Sequence, residues 1–101
     1  MQRTAAIAAL GALAMDTRLR ALRLLVDAGA DGLPAGEIAR RLDIAQATVS
    51  DHLQVLARAG IIVGQRRSRS IIYRADTDVM RDLIGFLSDT VRVGKEEARA
   101  R

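Results

Sequence analysis

The sequence predicts a single domain that is mainly α-helical with a small β-hairpin, an α+β arrangement of five helices and two strands within 101 residues. Apolar residues recur with a helical period of 3.6 over most of the chain, whereas the period changes to two at about residues 61–74. The length allows one thin hydrophobic core and no second domain.

Composition restricts both the core and the chemistry. Half of the residues are hydrophobic but only 2% are aromatic, so the core is expected to be aliphatic and an aromatic platform for stacking single-stranded bases is excluded. Zero cysteines exclude disulfides and thiolate metal sites, and one histidine leaves no pair for a metal. Because no nucleophile–base set, acid pair or phosphate loop is recognisable, we expect no enzyme, no metal and no cofactor.

Apolar spacing predicts the first two helices. The first, at about residues 4–14, places Ile7, Leu10 and Leu13 on one face. Its alanine-rich stretch is a poor signal peptide, and no stretch reaches the roughly twenty apolar residues of a membrane span, so we expect a cytoplasmic protein. Asp16 is the predicted N-cap of the second helix and Gly29 its end. Its predicted inward residues are Leu19, Leu22, Leu25 and Val26.

Two helices with a three-residue break between them are predicted at about residues 35–59. Pro34 lies near the first turn of the third helix, and Gly60 is the C′ residue of a fourth helix that begins at about Gln46. The break is too short for anything but a tight turn. The pair is therefore predicted to form a helix-turn-helix.

The hairpin is predicted at about residues 61–74. Two β-branched runs, 61–63 and 70–73, flank a segment with three arginines, so the hairpin should have a basic tip. A helix-turn-helix followed by a hairpin constitutes a winged helix-turn-helix. A last helix at about residues 77–92 follows, and the charged tail from Gly94 is expected to fray.

Both terminal helices carry an apolar stripe. The last helix presents Met80, Leu83, Leu87 and Val91, with Ile84 beside them. The stripes of the first and last helices could cover one another within a monomer. A two-fold dimer that uses both stripes is favoured, because the stripes lie at opposite ends of a chain whose core is thin.

The net charge is concentrated in the middle of the chain. The whole sequence carries +4, and residues 46–74 alone carry +4, from five arginines and one aspartate. Such a segment is either a solvated surface or a face that binds a polyanion. Because no amphipathic basic helix carries this charge, a nucleic acid is favoured over a membrane surface as the partner.

The fourth helix has the pattern of a major-groove reader. At about 100° per residue, Val49, Leu53 and Leu56 define its inward side. Polar side chains lie on the other sides, and the arginines of the hairpin suit contact with phosphates or the minor groove. The predicted DNA-binding residues are Gln46, Ala47, Thr48, Ser50, Asp51, His52, Gln54, Arg58, Arg66, Arg67 and Arg69.

Two of these residues have competing interpretations. His52 lies near the core side of the helix, so a structural role or a phosphate contact is favoured over base reading, and a lone histidine is not expected to bind a metal. Asp51 faces the groove, where a carboxylate either accepts a hydrogen bond from cytosine N4 or stays solvated.

These motifs resemble the bacterial ArsR/SmtB family of winged-helix repressors. The pattern Val49-Ser50-x-His52-Leu53-x-x-Leu56-x-x-Ala59-Gly60 is similar to the family's recognition helix, and Asp16-Thr-Arg-Leu19 followed by Leu24-Leu25 is similar to its second helix. The resemblance covers about residues 8–90. It implies a homodimer, formed through the first and last helices, that binds an imperfect inverted repeat and blocks transcription. Asp51 departs from the family, in which many members carry a basic or aromatic residue.

The metal-sensing residues of that family are missing. Residues 34–39 and 89–92, where different members carry cysteines, have no thiol, and residues 76–92 have no histidine for an Asp/His site. The resemblance therefore implies a regulator that answers to another effector or to none, or one whose thiols were replaced.

The sequence as a whole predicts a homodimeric, sequence-specific DNA-binding repressor with an unidentified effector. Its partners are double-stranded DNA and a second copy of itself, with no membrane. The alternative is a winged-helix module that binds proteins and does not read DNA. The surplus of positive charge centred on the hairpin argues against that alternative.

Overall fold

The computed structural model describes residues 1–100 and contains five α-helices and three strands. The elements are α1 (Arg3–Leu13), α2 (Asp16–Ala28), β1 (Leu33–Pro34), α3 (Ala35–Leu42), α4 (Gln46–Arg58), β2 (Ile62–Arg67), β3 (Ser70–Ala75) and α5 (Thr77–Ala100), with a 3₁₀ turn at Gly29–Asp31. The predicted fold class is thereby confirmed.

The wing has three strands rather than the two predicted. β1 pairs antiparallel with β3, so that Leu33 lies opposite Tyr73 and Pro34 opposite Ile72, and β3 pairs with β2. A two-residue strand is too short to show a period of two, so the local sequence does not reveal it. Because Pro34 is also the N-cap of α3, this pairing holds the start of α3 against the hairpin.

The basic tip of the hairpin is smaller than predicted. The strands stay paired as far as Arg67 and Ser70, so only Ser68 and Arg69 form the turn, and Ser68 adopts a left-handed φ of 57°. Arg66 and Arg67 lie within β2 and not at the tip. Since successive strand residues point to opposite faces, the side chains of these two arginines lie on opposite faces of the hairpin.

The buried core is aliphatic apart from Tyr73. The inward side of α4 is confirmed, because Val49, Leu53 and Leu56 are its buried residues. From α2 only Ala21, Leu22 and Leu25 are buried, and the expectation that Leu19 and Val26 face inward is wrong. Asp16 is the first residue of α2 and not its N-cap, which is Met15, and no side chain caps the helix.

Helix α1 packs through alanines. Ala6, Ala9 and Ala12 are buried, whereas Ile7 is 63% exposed and Leu10 is also exposed. Leu13 is partly buried against the core. Small side chains allow α1 to approach α2 and α4 closely, and the large apolar residues consequently remain on the outside.

Helix α5 is longer than predicted and continues through the tail expected to fray, as far as Ala100. Leu83 is buried in the core of its own chain, and Met80 packs partly against that core. Ile84, Leu87 and Val91 are exposed. Neither α5 nor any other helix within residues 1–100 is long and apolar enough to cross a membrane.

The stability of a Gly85→Ala variant tests whether α5 is continuous at this position. A Cβ added at this position would meet nothing within 4 Å, and the residue lies inside the helix. Gly85→Ala is expected to raise the free energy of unfolding by about 0.5–1 kcal/mol, because alanine loses less backbone freedom in a helix. Urea unfolding measures the change, and a loss of stability would contradict a continuous helix here.

Gly32→Ala provides the opposite case for comparison. Gly32 has a φ of 65°, and a Cβ there would press against the backbone oxygen of Tyr73. This variant should therefore be destabilised in the same unfolding measurement.

Candidate nucleic-acid interface

A groove of about 480 Å³ separates α4 from the hairpin. It brings together four of the predicted DNA-binding residues, Gln46 and Ser50 from α4 with Arg66 and Arg69 from the wing. The remaining lining residues, which sequence reasoning did not assign to the site, are Pro34, Ala35, Gly36, Ser70, Ile71 and Tyr73. The pairing of β1 with β3 brings the first three of these residues, Pro34, Ala35 and Gly36, next to the hairpin.

The start of α3 forms one side of this groove. Its N-cap, Pro34, supplies no side-chain acceptor for the backbone N–H groups of the first turn. A helix N-terminus carries a partial positive charge, so this side of the groove favours an anion. Gly36 leaves room for the Gln46 side chain, since a Cβ at Gly36 would lie 3.3 Å from Gln46 Oε1.

The exposed side of α4 carries the other predicted base-reading residues. Ala47, Thr48, Asp51 and Gln54 are exposed, on the side of the helix away from its buried residues. Arg58 is also exposed, and its Nη2 donates a hydrogen bond of 3.5 Å to Gln54 Oε1. The helix therefore offers mixed donors and acceptors to a ligand that approaches from outside.

The arginines of the middle segment differ in their partners from several arginines of the other helices. In α2, α3 and α5, ion pairs form within the same helix, as in Arg20–Asp16, Arg23–Asp27 and Arg81–Asp78. Within residues 1–100, the arginines of the middle segment have no acidic partner within 4 Å and all are exposed. They are Arg58, Arg66, Arg67, Arg69 and Arg74.

His52 is partly buried and contacts α2. Its Nδ1 accepts a hydrogen bond of 3.2 Å from Arg18 Nε. This contact agrees with the structural role favoured for His52. Sequence reasoning missed Arg18 as a neighbour of α4, although it lies in the motif that resembles the family's second helix, because the two residues are 34 positions apart.

Glu37 holds two arginines of its own helix, α3. Arg40 Nε donates to Glu37 Oε2 at 3.0 Å, and Arg41 Nε donates to Glu37 Oε1 at 2.8 Å. The hydrogen bonds from Arg40 and Arg41 lower the pKa of Glu37 from 4.5 to about 2, and the bond to Glu37 raises the pKa of Arg40. Arg40 and Arg41 are therefore engaged locally, unlike the arginines of the wing.

The carboxyl group of Glu37 should consequently stay ionised in acid. An NMR titration of its side-chain carbon is expected to give a midpoint near 2 in the folded protein. Because the folded pKa lies below the unfolded value, the ion pairs stabilise the fold fully above about pH 4.5 and are lost as the pH falls toward about 2. Glu37→Gln should remove this part of the acid dependence, and a midpoint at the ordinary value would contradict the pairing.

Within residues 1–100, no group of three or more His, Asp or Glu side chains lies close enough together to hold a metal ion.

Known proteins share both the sequence pattern and the fold. The model of a family described as a helix-turn-helix domain matches residues 13–65. The transcriptional repressor SdpR of Bacillus subtilis is 31% identical over 86 residues, which cover 85% of this chain and 92% of SdpR. The transcriptional activator HlyU of Vibrio cholerae is 29% identical over 82 residues, which cover 81% of this chain and 73% of HlyU.

Solved structures of transcriptional regulators have a similar fold. An ArsR-like transcriptional regulator from Rhodococcus sp. RHA1 superposes with a TM-score of 0.78 at 26% identity, covering 95% of this chain and 85% of that one. The homodimeric winged helix-turn-helix DNA-binding domain of Mb0332 from Mycobacterium bovis, a possible ArsR-family regulator, superposes with a TM-score of 0.70 at 26% identity, covering 94% of this chain and 84% of that one.

The fold and these relatives define a winged helix-turn-helix transcriptional regulator and not an enzyme. The chain belongs to the ArsR family.

Proposed function

We propose that the chain is a homodimeric repressor that binds a specific DNA operator, with α4 in the major groove and the arginines of the wing on the flanking backbone or minor groove. In this proposal α1 and α5 form the dimer, residues 35–58 form the helix-turn-helix and residues 62–75 form the wing. The operator is an imperfect inverted repeat, because a two-fold dimer presents two identical α4 helices to the DNA.

The observation that supports DNA binding most directly is the set of arginines without acidic partners around the groove. Arg66 and Arg69 face Gln46 and Ser50 across a space of about 480 Å³, and the start of α3 adds its partial positive charge. By contrast, several exposed arginines of α2 and α5 are paired with acids of their own helices, namely Asp16, Asp27 and Asp78. The groove is therefore suited to a DNA phosphate.

Base reading is assigned to the exposed side of α4. Gln54 is the best candidate for a specific contact, because a glutamine amide matches the donor and acceptor pair of adenine in the major groove. Ala47 and Thr48 offer methyl groups to thymine, and Asp51 can accept from cytosine N4. These four residues are exposed in the free protein.

Gln54→Ala is expected to weaken binding to the cognate site by about 1–3 kcal/mol and binding to random DNA by much less. Arg58, whose bond to Gln54 would be lost, remains available to a phosphate. Fluorescence anisotropy with both DNAs measures the two losses. Equal losses on cognate and random DNA would show that Gln54 does not read a base.

Dimerisation is assigned to the apolar residues left exposed on α1 and α5. On α5 the partly buried Met80 and the exposed Ile84, Leu87 and Val91 follow each other at spacings of four, three and four, which is the pattern of a helix that packs on another helix. On α1, Ile7 and Leu10 are exposed, and α1 contacts α5. Leu83 is buried within its own chain, so Ile84 takes its place in the proposed interface.

Repression is the direction of regulation favoured by the similarity to SdpR, which is described as a repressor. HlyU, of similar identity, is described as an activator, so the direction requires its own measurement. We expect a reporter gene whose promoter overlaps the operator to be silenced by the protein. A rise in transcription with the operator upstream of the promoter would instead favour activation.

Selection from a library of random double-stranded DNA tests the proposed function. The protein is expected to enrich an inverted repeat with half-sites about one helical turn, or a multiple of it, apart. Recovery of sequences with no common motif would contradict specific binding and leave only general attraction to a polyanion. No recovery of DNA at all would favour the protein-binding alternative.

A further inference from the structure

Arg18 bridges two helices to which the proposed function gives different tasks. Its Nε donates to His52 Nδ1 on α4 at 3.2 Å, and its Nη1 donates to the backbone oxygen of Ala12 on α1 at 3.4 Å. Arg18 itself lies in the first turn of α2. One guanidinium group thus contacts the end of a proposed dimerisation helix and the middle of the proposed recognition helix.

Both acceptors of Arg18, the backbone oxygen of Ala12 and His52 Nδ1, are stabilised by a cationic donor. Ala12 lies in the last turn of α1, where backbone carbonyl groups lack partners within the helix and the helix dipole favours a cation. The last turn of α1 has no basic residue of its own, so Arg18 supplies the charge from α2. On the other side, a neutral imidazole whose Nδ1 accepts a hydrogen bond carries its proton on Nε2, so the bond also defines the tautomer of His52.

The chemistry of Arg18 separates it from the other arginines. Within residues 1–100 it has no acidic partner, and its two bonds reach other helices, to His52 34 positions away and to Ala12 six positions away, instead of neighbours in its own helix. The planar guanidinium group can donate in two directions at once, which a lysine ammonium on a flexible stem does less well. The contact is partly buried, so water competes with it only in part.

We infer that Arg18 is a positioning residue, which holds α4 at a set place relative to α1 and so determines the half-site spacing that the dimer recognises. This inference depends on the proposed function. In a dimer formed through α1 and α5, the distance and angle between the two α4 helices follow from how each α4 sits on its own α1. Because α4 stays packed through Val49, Leu53 and Leu56, loss of the Arg18 link allows a small shift of α4 relative to α1, and discrimination between spacings falls.

The experiment compares Arg18→Leu and His52→Leu with the double variant. The DNAs are the selected operator, two versions with one base pair added or removed between the half-sites, and a random duplex. Each single variant should bind the operator on the order of tenfold more weakly, with smaller losses on the altered spacings and the smallest loss on the random duplex. The double variant should be no weaker than either single one, because both substitutions remove the same bond.

Two further variants separate positioning from simple charge or stability effects. His52→Asn keeps an acceptor near the place of Nδ1 and should restore the preference for the native spacing, which His52→Leu loses. Arg20→Leu removes an exposed arginine from the same helix and should leave the spacing preference unchanged. Equal losses on all DNAs, or additive effects of Arg18→Leu and His52→Leu, would overturn the inference.

A measurement without DNA keeps the inference distinct from the proposed function. The nitrogen chemical shifts of His52 should report an unprotonated Nδ1 in the unaltered protein and a mixture of tautomers in Arg18→Leu. Unchanged shifts would overturn the link even if a specific operator is found. Failure to select any operator would instead overturn the proposed function and, with it, the role assigned to the link.

Discussion

Replacing Arg66, Arg67 and Arg69 together with alanine is expected to weaken DNA binding at least about a hundredfold at physiological salt. All three side chains are exposed and, within residues 1–100, none has an acidic partner to compete with a phosphate. The slope of log affinity against log salt should become less steep by up to about five units, since the proposed dimer presents six of these arginines and each neutralised phosphate contributes about 0.9. Anisotropy titrations at several salt concentrations measure both quantities.

The matched control replaces Arg20, Arg23 and Arg81 with alanine. These arginines are also exposed, but each pairs with an aspartate of its own helix. The net charge of the protein falls by the same amount, so any difference between the two variants reflects location. If both variants lose the same affinity and the same salt dependence, the wing has no special role and only the overall charge attracts DNA.

The wing also allows its two faces to be compared. Arg66 and Arg69 line the groove next to α4, whereas Arg67 does not. Arg67 lies next to Arg66 in β2 and so points to the other face of the hairpin. We therefore expect Arg66→Ala and Arg69→Ala to account for most of the loss in the triple variant.

Ile84→Glu is expected to abolish dimerisation and to weaken operator binding by about a thousandfold or more. Ile84 is 60% exposed in the single chain, so the fold itself should tolerate the change. In a two-fold dimer one substitution places two carboxylates in the apolar contact, where burying an unpaired charge is costly. A monomer contacts one half-site and therefore retains only part of the binding free energy.

Gly85→Glu is the matched control for Ile84→Glu. It adds the same charge to α5 at the adjacent position, where nothing lies within 4 Å of an added Cβ. Sedimentation equilibrium measures the mass, and anisotropy measures the affinity for the operator and for an isolated half-site. If Ile84→Glu remains a dimer, the interface lies elsewhere. If Gly85→Glu remains a dimer while Ile84→Glu does not, the loss of dimerisation is specific to the apolar residues of α5.

Helix α4 shows why much of the candidate site could be predicted from sequence. Three buried residues, Val49, Leu53 and Leu56, follow the helical period, so the exposed side that carries Gln54 follows from arithmetic alone. The turn before α4 was predictable because a break of three residues allows few connections. Local periodicity and turn length carry this information, and both can be read without knowing the tertiary structure.

Helix α1 shows where that reasoning ends. The sequence predicts a helix here correctly, but the buried face of that helix consists of Ala6, Ala9 and Ala12 and not of the larger Ile7 and Leu10. Hydrophobicity alone favours burying the larger residues. The distance between α1 and its neighbours decides otherwise, because a close approach leaves room only for small side chains.

The sequence by itself determined the order of the helices, the inward face of α4 and the concentration of arginine on the wing, because these depend on neighbours in the chain. The tertiary structure decided the third strand, in which Leu33 pairs with Tyr73 forty positions later, and the link between Arg18 and His52. It also decided which arginines keep their charge available, because an ion pair depends on where the acids lie after folding. Contacts between distant segments leave no periodic signal in the chain, so only the folded structure shows them.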